Sequence, residues 1–81
     1  MWQPDQVEFH PHARLRMAER RISENQVLHT LNEPDRRYPS YDGRTVAERD
    51  TMPGNILRVI YVERLQGVLV LSVIRIAPKR T

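Results

Sequence analysis

A chain of 81 residues has room for one domain and one core, and without cysteine it has no disulfide or thiolate metal site to reinforce that core. Its longest apolar run, residues 68–74, falls far short of the roughly 20 residues that cross a bilayer, and residues 1–6 lack the basic start and apolar stretch of a secretory leader, so a cytoplasmic protein with no membrane contact is expected. The formal net charge is +3 and every cation but Lys79 is arginine, which reads either as a surface for phosphate or carboxylate groups or as an arginine-rich solvated exterior.

Val7, Glu8 and Phe9 read as a short strand or an extended lead-in. Residues 10–21 follow as a helix. Pro11 suits its first position, where a missing N–H costs nothing. Leu15, Ala18 and Ile22 mark an apolar edge that Ala13 and Met17 extend. His12, Arg16 and Glu19 recur at four and three residues and share another face. Ser23 opens a second helix, with Gln26 three residues later as a capping box and Ile22 packing on Val27 as a staple. Val27, Leu28 and Leu31 form its buried stripe, and Pro34 ends it.

Residues 35–43 read as a loop containing the turn pair Asp42-Gly43. A strand over 44–50, a turn over 52–55 and an alternating, β-branched strand over 56–64 follow. Gln66-Gly67 marks another turn. Residues 68–76 form the most apolar strand, expected centrally and covered on both faces or nearly so. Residues 77–81 read as a frayed tail. The expected architecture is a single α+β domain, 1–81 with its core over about 7–76. Two N-terminal helices pack on one face of a three- to four-stranded antiparallel sheet joined by short turns. A domain this short buries only about 60–65% of its unfolded surface, so a partner or a second copy in a homodimer would add stability.

No Walker loop, nucleophile elbow or zinc spacing is present in the sequence. His10 and His12 are close, but His29 lies on the other helix, so neither a metal nor a cofactor is expected. On the first helix, His12, Arg16 and Glu19 offer a proton carrier, a fixed cation and an acceptor. The bland alternative is a surface histidine beside an intrahelical ion pair worth a few tenths of a kcal/mol. Arg58 interrupts an apolar strand, so it either meets a carboxylate such as Glu48 or opens onto a cleft. Arg75 poses the same question. Tyr38 and Tyr41 stand beside Arg36, Arg37 and Arg44, where they could stack on bases or cover the sheet edge.

The run His12-Ala13-Arg14-x-Arg16-Met17-x-Glu19-Arg20-x-Ile22-Ser23, followed by Val27, Leu31 and Pro34, resembles the opening of a family of small bacterial domains of unknown function. Gly43-Arg44-x-Val46 and Leu57-Arg58-Val59-Ile60-Tyr61 are similar to its strands, and the likeness covers residues 9 to 76. That family resembles the RelE, ParE and BrnT toxins. The resemblance implies two helices on a curved antiparallel sheet and a toxin of the toxin–antitoxin kind. It further implies metal-independent RNA cleavage and a neutralising antitoxin partner. Carried onto this chain, it implies catalytic roles for His12, Arg16, Glu48 and Arg58, with His12 or Glu48 as general base. RNA contacts are expected from Arg20, Arg44, Arg49 and Arg75. The competing expectation is a non-catalytic basic module that binds nucleic acid or an acidic protein.

Overall fold

The computed structural model describes residues 1–51 and 54–77. Met52 and Pro53 of the expected 52–55 turn, and residues 78–81 of the expected tail, lie outside the described residues. A 3-10 turn, Pro4–Gln6, leads into strand β1, Val7–Phe9. Helices α1, Pro11–Arg20, and α2, Glu24–Asn32, follow. Strands β2, Arg36–Pro39, β3, Thr45–Asp50, β4, Ile56–Arg64, and β5, Gly67–Ile76, complete the chain order.

The helix ends follow from local chemistry. The His10 imidazole accepts the His12 amide at 3.1 Å and caps α1, with Pro11 at its first position. Arg21 ends α1 in the left-handed region at φ 55°, and the Ile22 amide returns to the Met17 carbonyl at 2.9 Å. At α2 the expected capping box forms. The Gln26 amide donates to Ser23 Oγ at 3.1 Å and the Ser23 amide to Gln26 Oε1 at 2.8 Å. At its far end Arg37 donates to the Leu31 carbonyl, and Arg49 to the Glu33 carbonyl at 2.7 Å. Both cations answer the negative end of the helix dipole.

The α+β class and the two leading helices agree with expectation, but the sheet does not. It has five strands in the order β1-β5-β4-β3-β2. It is mixed, because β1 runs parallel to β5 with Val7 opposite Val68 and Phe9 opposite Val70. Parallel neighbours need a long connection, and here that connection contains both helices and three strands. Part of the expected loop is also a strand. Residues 36–39 pair antiparallel with β3 and form the edge of the sheet. All four β2 residues are exposed, and Arg36, Arg37 and Pro39 discourage pairing with another chain.

One face of the sheet is covered. Ala13 and Met17 of α1, Ile22, and Val27 and Leu31 of α2 pack on Ala47, Leu57, Val59, Tyr61, Val68, Val70 and Val73. Trp2, Val7 and Phe9 close its margin. Trp2 is tied down by Asn32, which accepts the Trp2 amide at 2.7 Å and donates to its carbonyl at 2.9 Å. The expected apolar edge of α1 needs correction, since Leu15 is 55% exposed and Ala18 is exposed. The helix lies along β5 at the sheet margin, where the His10 amide already reaches the Val70 carbonyl at 2.9 Å. Only the narrow Ala13–Met17 stripe of α1 is therefore buried.

The strand β5 is interior, but the described residues cover only one of its faces. Leu69, Leu71, Ser72 and Ile74 remain half-buried on the other side. A register shift of β4 against β5 falls at Ile60/Tyr61, opposite Ser72 and Val70. Gly67 starts β5 where no side chain fits, because a Cβ there would overlap the Gln6 carbonyl. Among the described residues, no helix is long and apolar enough to cross a membrane.

Candidate functional site

Helical geometry places His12, Arg16 and Arg20, spaced four apart, along one edge of α1. That edge meets the uncovered face of β5. A concavity of about 320 Å³ is lined by His10, His12, Arg44, Ile60, Leu71 and Ser72. A second, of about 280 Å³, is lined by His12, Arg16, Arg20, Ser72, Val73 and Ile74. They share His12 and Ser72, so together they make one groove along the helix. Its wall carries three arginines and two histidines, and neither lining includes a carboxylate. Arg16 also meets Glu19 at 3.3 Å, an exposed pair. Because His10 Nδ1 accepts the His12 amide, the ring proton of neutral His10 sits on Nε2, a donor available to a ligand.

A larger hollow of about 440 Å³ lies at the start of β5. Asp5, Glu8 and Arg64 give it mixed charge, and no histidine lines it. Size favours that hollow, while the concentration of cations and proton carriers favours the groove beside α1.

On the same open face, further from α1, Arg36, Glu48, Arg58 and Ile74 form one cross-strand row. Glu48 is only 5% exposed. Its carboxylate accepts from Arg58 Nε at 2.6 Å, Arg36 Nε at 2.9 Å and the Tyr38 hydroxyl at 2.7 Å. Arg36 also reaches Asp50 at 2.7 Å. Burial alone would raise the Glu48 pKa, but the hydrogen bonds from Tyr38, Arg36 and Arg58 outweigh it and lower it to about 2. The same bond to Glu48 raises the Tyr38 pKa, because losing the phenolic proton would lose it. Among the two readings of Arg58, pairing with Glu48 is the one observed.

The candidate residues thus separate. His12, Arg16, Arg20 and Arg44 share the groove. Arg58 lies beside it, as the cross-strand neighbour of Ile74, and Glu48 lies one strand further. Arg49 and Arg75 both register with buried Leu57, so they belong to the helix-covered side and not to the groove. His29 stands apart on α2, 3.5 Å from Glu33. Sequence reasoning weighed His10 only as a metal ligand and passed over Ser72. The signals were present, in a histidine directly before a helix-starting proline and in the single polar residue of the run 68–74.

A family described as Domain of unknown function (DUF4258) matches residues 9–75. No curated protein matches the chain, and no solved structure does.

Proposed function

This chain belongs to the DUF4258 family of domains of unknown function, and from that premise we propose that it is a toxin-like, metal-independent endoribonuclease acting in the groove beside α1. The observation that carries the reading is the meeting of His12, Arg16, Arg20 and Arg44 around Ser72 in one open groove. Arginines suit a phosphodiester, and a histidine suits the proton it must exchange. The resemblance of the sequence motifs to RelE-type toxins rests on the residues alone and points the same way.

His12 takes the proton of an RNA 2′-hydroxyl. The freed oxygen attacks the adjacent phosphorus and forms a 2′,3′-cyclic phosphate. The bond to the 5′-oxygen breaks, and that oxygen leaves with a proton from water. Arg16 and Arg20 hold the phosphate and stabilise the charge that grows on it. Arg58 stays paired with Glu48 one strand away, its charge balanced there, and serves as a neighbour of the groove and not as a phosphate ligand in this arrangement. Of the two candidate bases, His12 fits better, because a carboxylate with three donors and a pKa near 2 has little tendency to take a proton. An antitoxin would act by covering this groove.

One observation favours a binding-only reading, namely that Arg58 directs its Nε at Glu48 and not into the groove. A single assay separates the two. Purified wild type and His12→Ala are incubated with RNA in chelator, and the 3′ ends are analysed. Cleavage to cyclic phosphate, reduced about 100-fold or more in His12→Ala, is expected. Intact RNA with retained binding would move the assignment to a non-catalytic module, and equal cleavage by both proteins would overturn His12 as the general base and the groove as the site of cleavage.

A further inference from the structure

The two tyrosines beside the arginine-rich segment have different situations. Tyr38 is 40% exposed and its hydroxyl is committed to Glu48. Tyr41 is 72% exposed. It sits at the tip of the hairpin between β2 and β3, where Asp42 and Gly43 both adopt positive φ, 58° and 72°. The Arg44 amide closes this turn on the Tyr41 carbonyl at 3.2 Å, and the Ser40 amide meets the Arg44 carbonyl at 2.8 Å. Positive φ at both central residues makes a type I′ turn, whose twist matches the flanking strands. The tip is therefore a defined geometry rather than a loose loop.

Arg44 joins this tip to the groove. Its guanidinium stacks on the Tyr41 ring, 5.4 Å from the centroid, while the residue also lines the concavity shared with His10, His12 and Ser72. With Arg44 on one side and 72% of the residue exposed, the ring offers an open aromatic surface next to the cationic groove. A paired base keeps its faces inside the duplex stack, so only an unpaired base can use such a surface.

Resting on the ribonuclease reading of the groove, we propose that Tyr41 and Arg44 form a nucleobase platform, and that the ligand is single-stranded RNA. The phosphate lies between His12, Arg16 and Arg44, and the neighbouring base stacks on Tyr41. Recognition through a ring face is tolerant of base identity, so the platform selects strandedness before sequence.

Fluorescence anisotropy with a labelled, uncleavable 2′-O-methyl oligoribonucleotide tests this, as a single strand and as its duplex. Wild type should bind the single strand more tightly. Tyr41→Ala should weaken that binding about tenfold and leave duplex binding unchanged, while Tyr41→Phe, which keeps the ring, should bind as wild type. Tyr41 is exposed, so melting temperatures should match and exclude misfolding as the cause. Unchanged single-strand binding in Tyr41→Ala, with loss in an Arg16→Ala/Arg20→Ala double variant, would overturn the platform and leave the groove standing. No binding of either polymer by wild type would overturn the groove reading and the platform with it.

Discussion

The two faces of the sheet are built on opposite terms. The helix-covered face is closed with side chains of Ala, Met, Ile, Val, Leu and Tyr. Its one buried polar side chain among the described residues, Thr30, donates to the Gln26 carbonyl of its own helix at 2.9 Å, and other polar interactions cap α2 or tie Trp2 to Asn32. Among the described residues, the open face has no layer above it. It places a nearly buried carboxylate among two arginines and a tyrosine, then falls away into a groove bounded by an arginine-lined helix edge. Apolar burial specifies the first face, and electrostatic satisfaction specifies the second. Chemistry that meets a ligand can only sit on the second, because its side chains still reach solvent.

Three measurements strain this contrast, beginning with the largest effect. Leu57→Ala on the covered face should cost about 4 kcal/mol, through lost transfer energy and the cavity left behind. That approaches the whole stability of a domain this size, so denaturant unfolding should show a partly unfolded population before any denaturant is added. On the open face, Glu48→Gln should cost about 3 kcal/mol at neutral pH. The folded pKa of Glu48 is depressed, from 4.5 to about 2. Its contribution is therefore complete above about pH 5 and disappears as pH falls through about 2. Wild-type stability should fall across that window, while the Gln variant should show a flatter profile. An equally steep profile would mean that other carboxylates carry the acid sensitivity. The smallest change is expected for Arg16→Ala, whose exposed pair with Glu19 is worth only a few tenths of a kcal/mol. Its melting temperature should move by less than about 3 °C even where its binding to RNA falls. A large stability loss would make Arg16 a structural residue.

What could be read from the sequence divides along the same line. Signals confined to a few consecutive residues were legible. Ser23 and Gln26 announced the cap of α2, Asp42-Gly43 the turn, and alternation the strand β4. The pairing of Arg58 with Glu48 was also legible, because an arginine in an apolar strand needs a carboxylate and the neighbouring strand supplies one. Long-range features were not. β1 has three residues, and its parallel pairing with β5 leaves no mark in either segment. β2 lacks apolar alternation because neither of its faces is buried, so Arg36–Pro39 looks like a loop. The facing of α1 depended on its place at the sheet margin, which spacing cannot reveal, and Leu15 was misplaced for that reason. The groove was half legible. The helix edge of His12, Arg16 and Arg20 followed from period, but its opposite wall at Ser72 required the fold.

The parallel closure of β1 on β5 also sets an order in time. β1 leaves the ribosome ahead of the other described strands, and its partner emerges about sixty residues later. At about 5–20 residues per second, that is a wait of several seconds. The helices can coil within microseconds, but α1 has no Ser72 or Ile74 to stand against until β5 is made. The groove is therefore assembled only after β5 has emerged. If it cuts RNA, the nascent chain is harmless to the message that encodes it until β5 has been made.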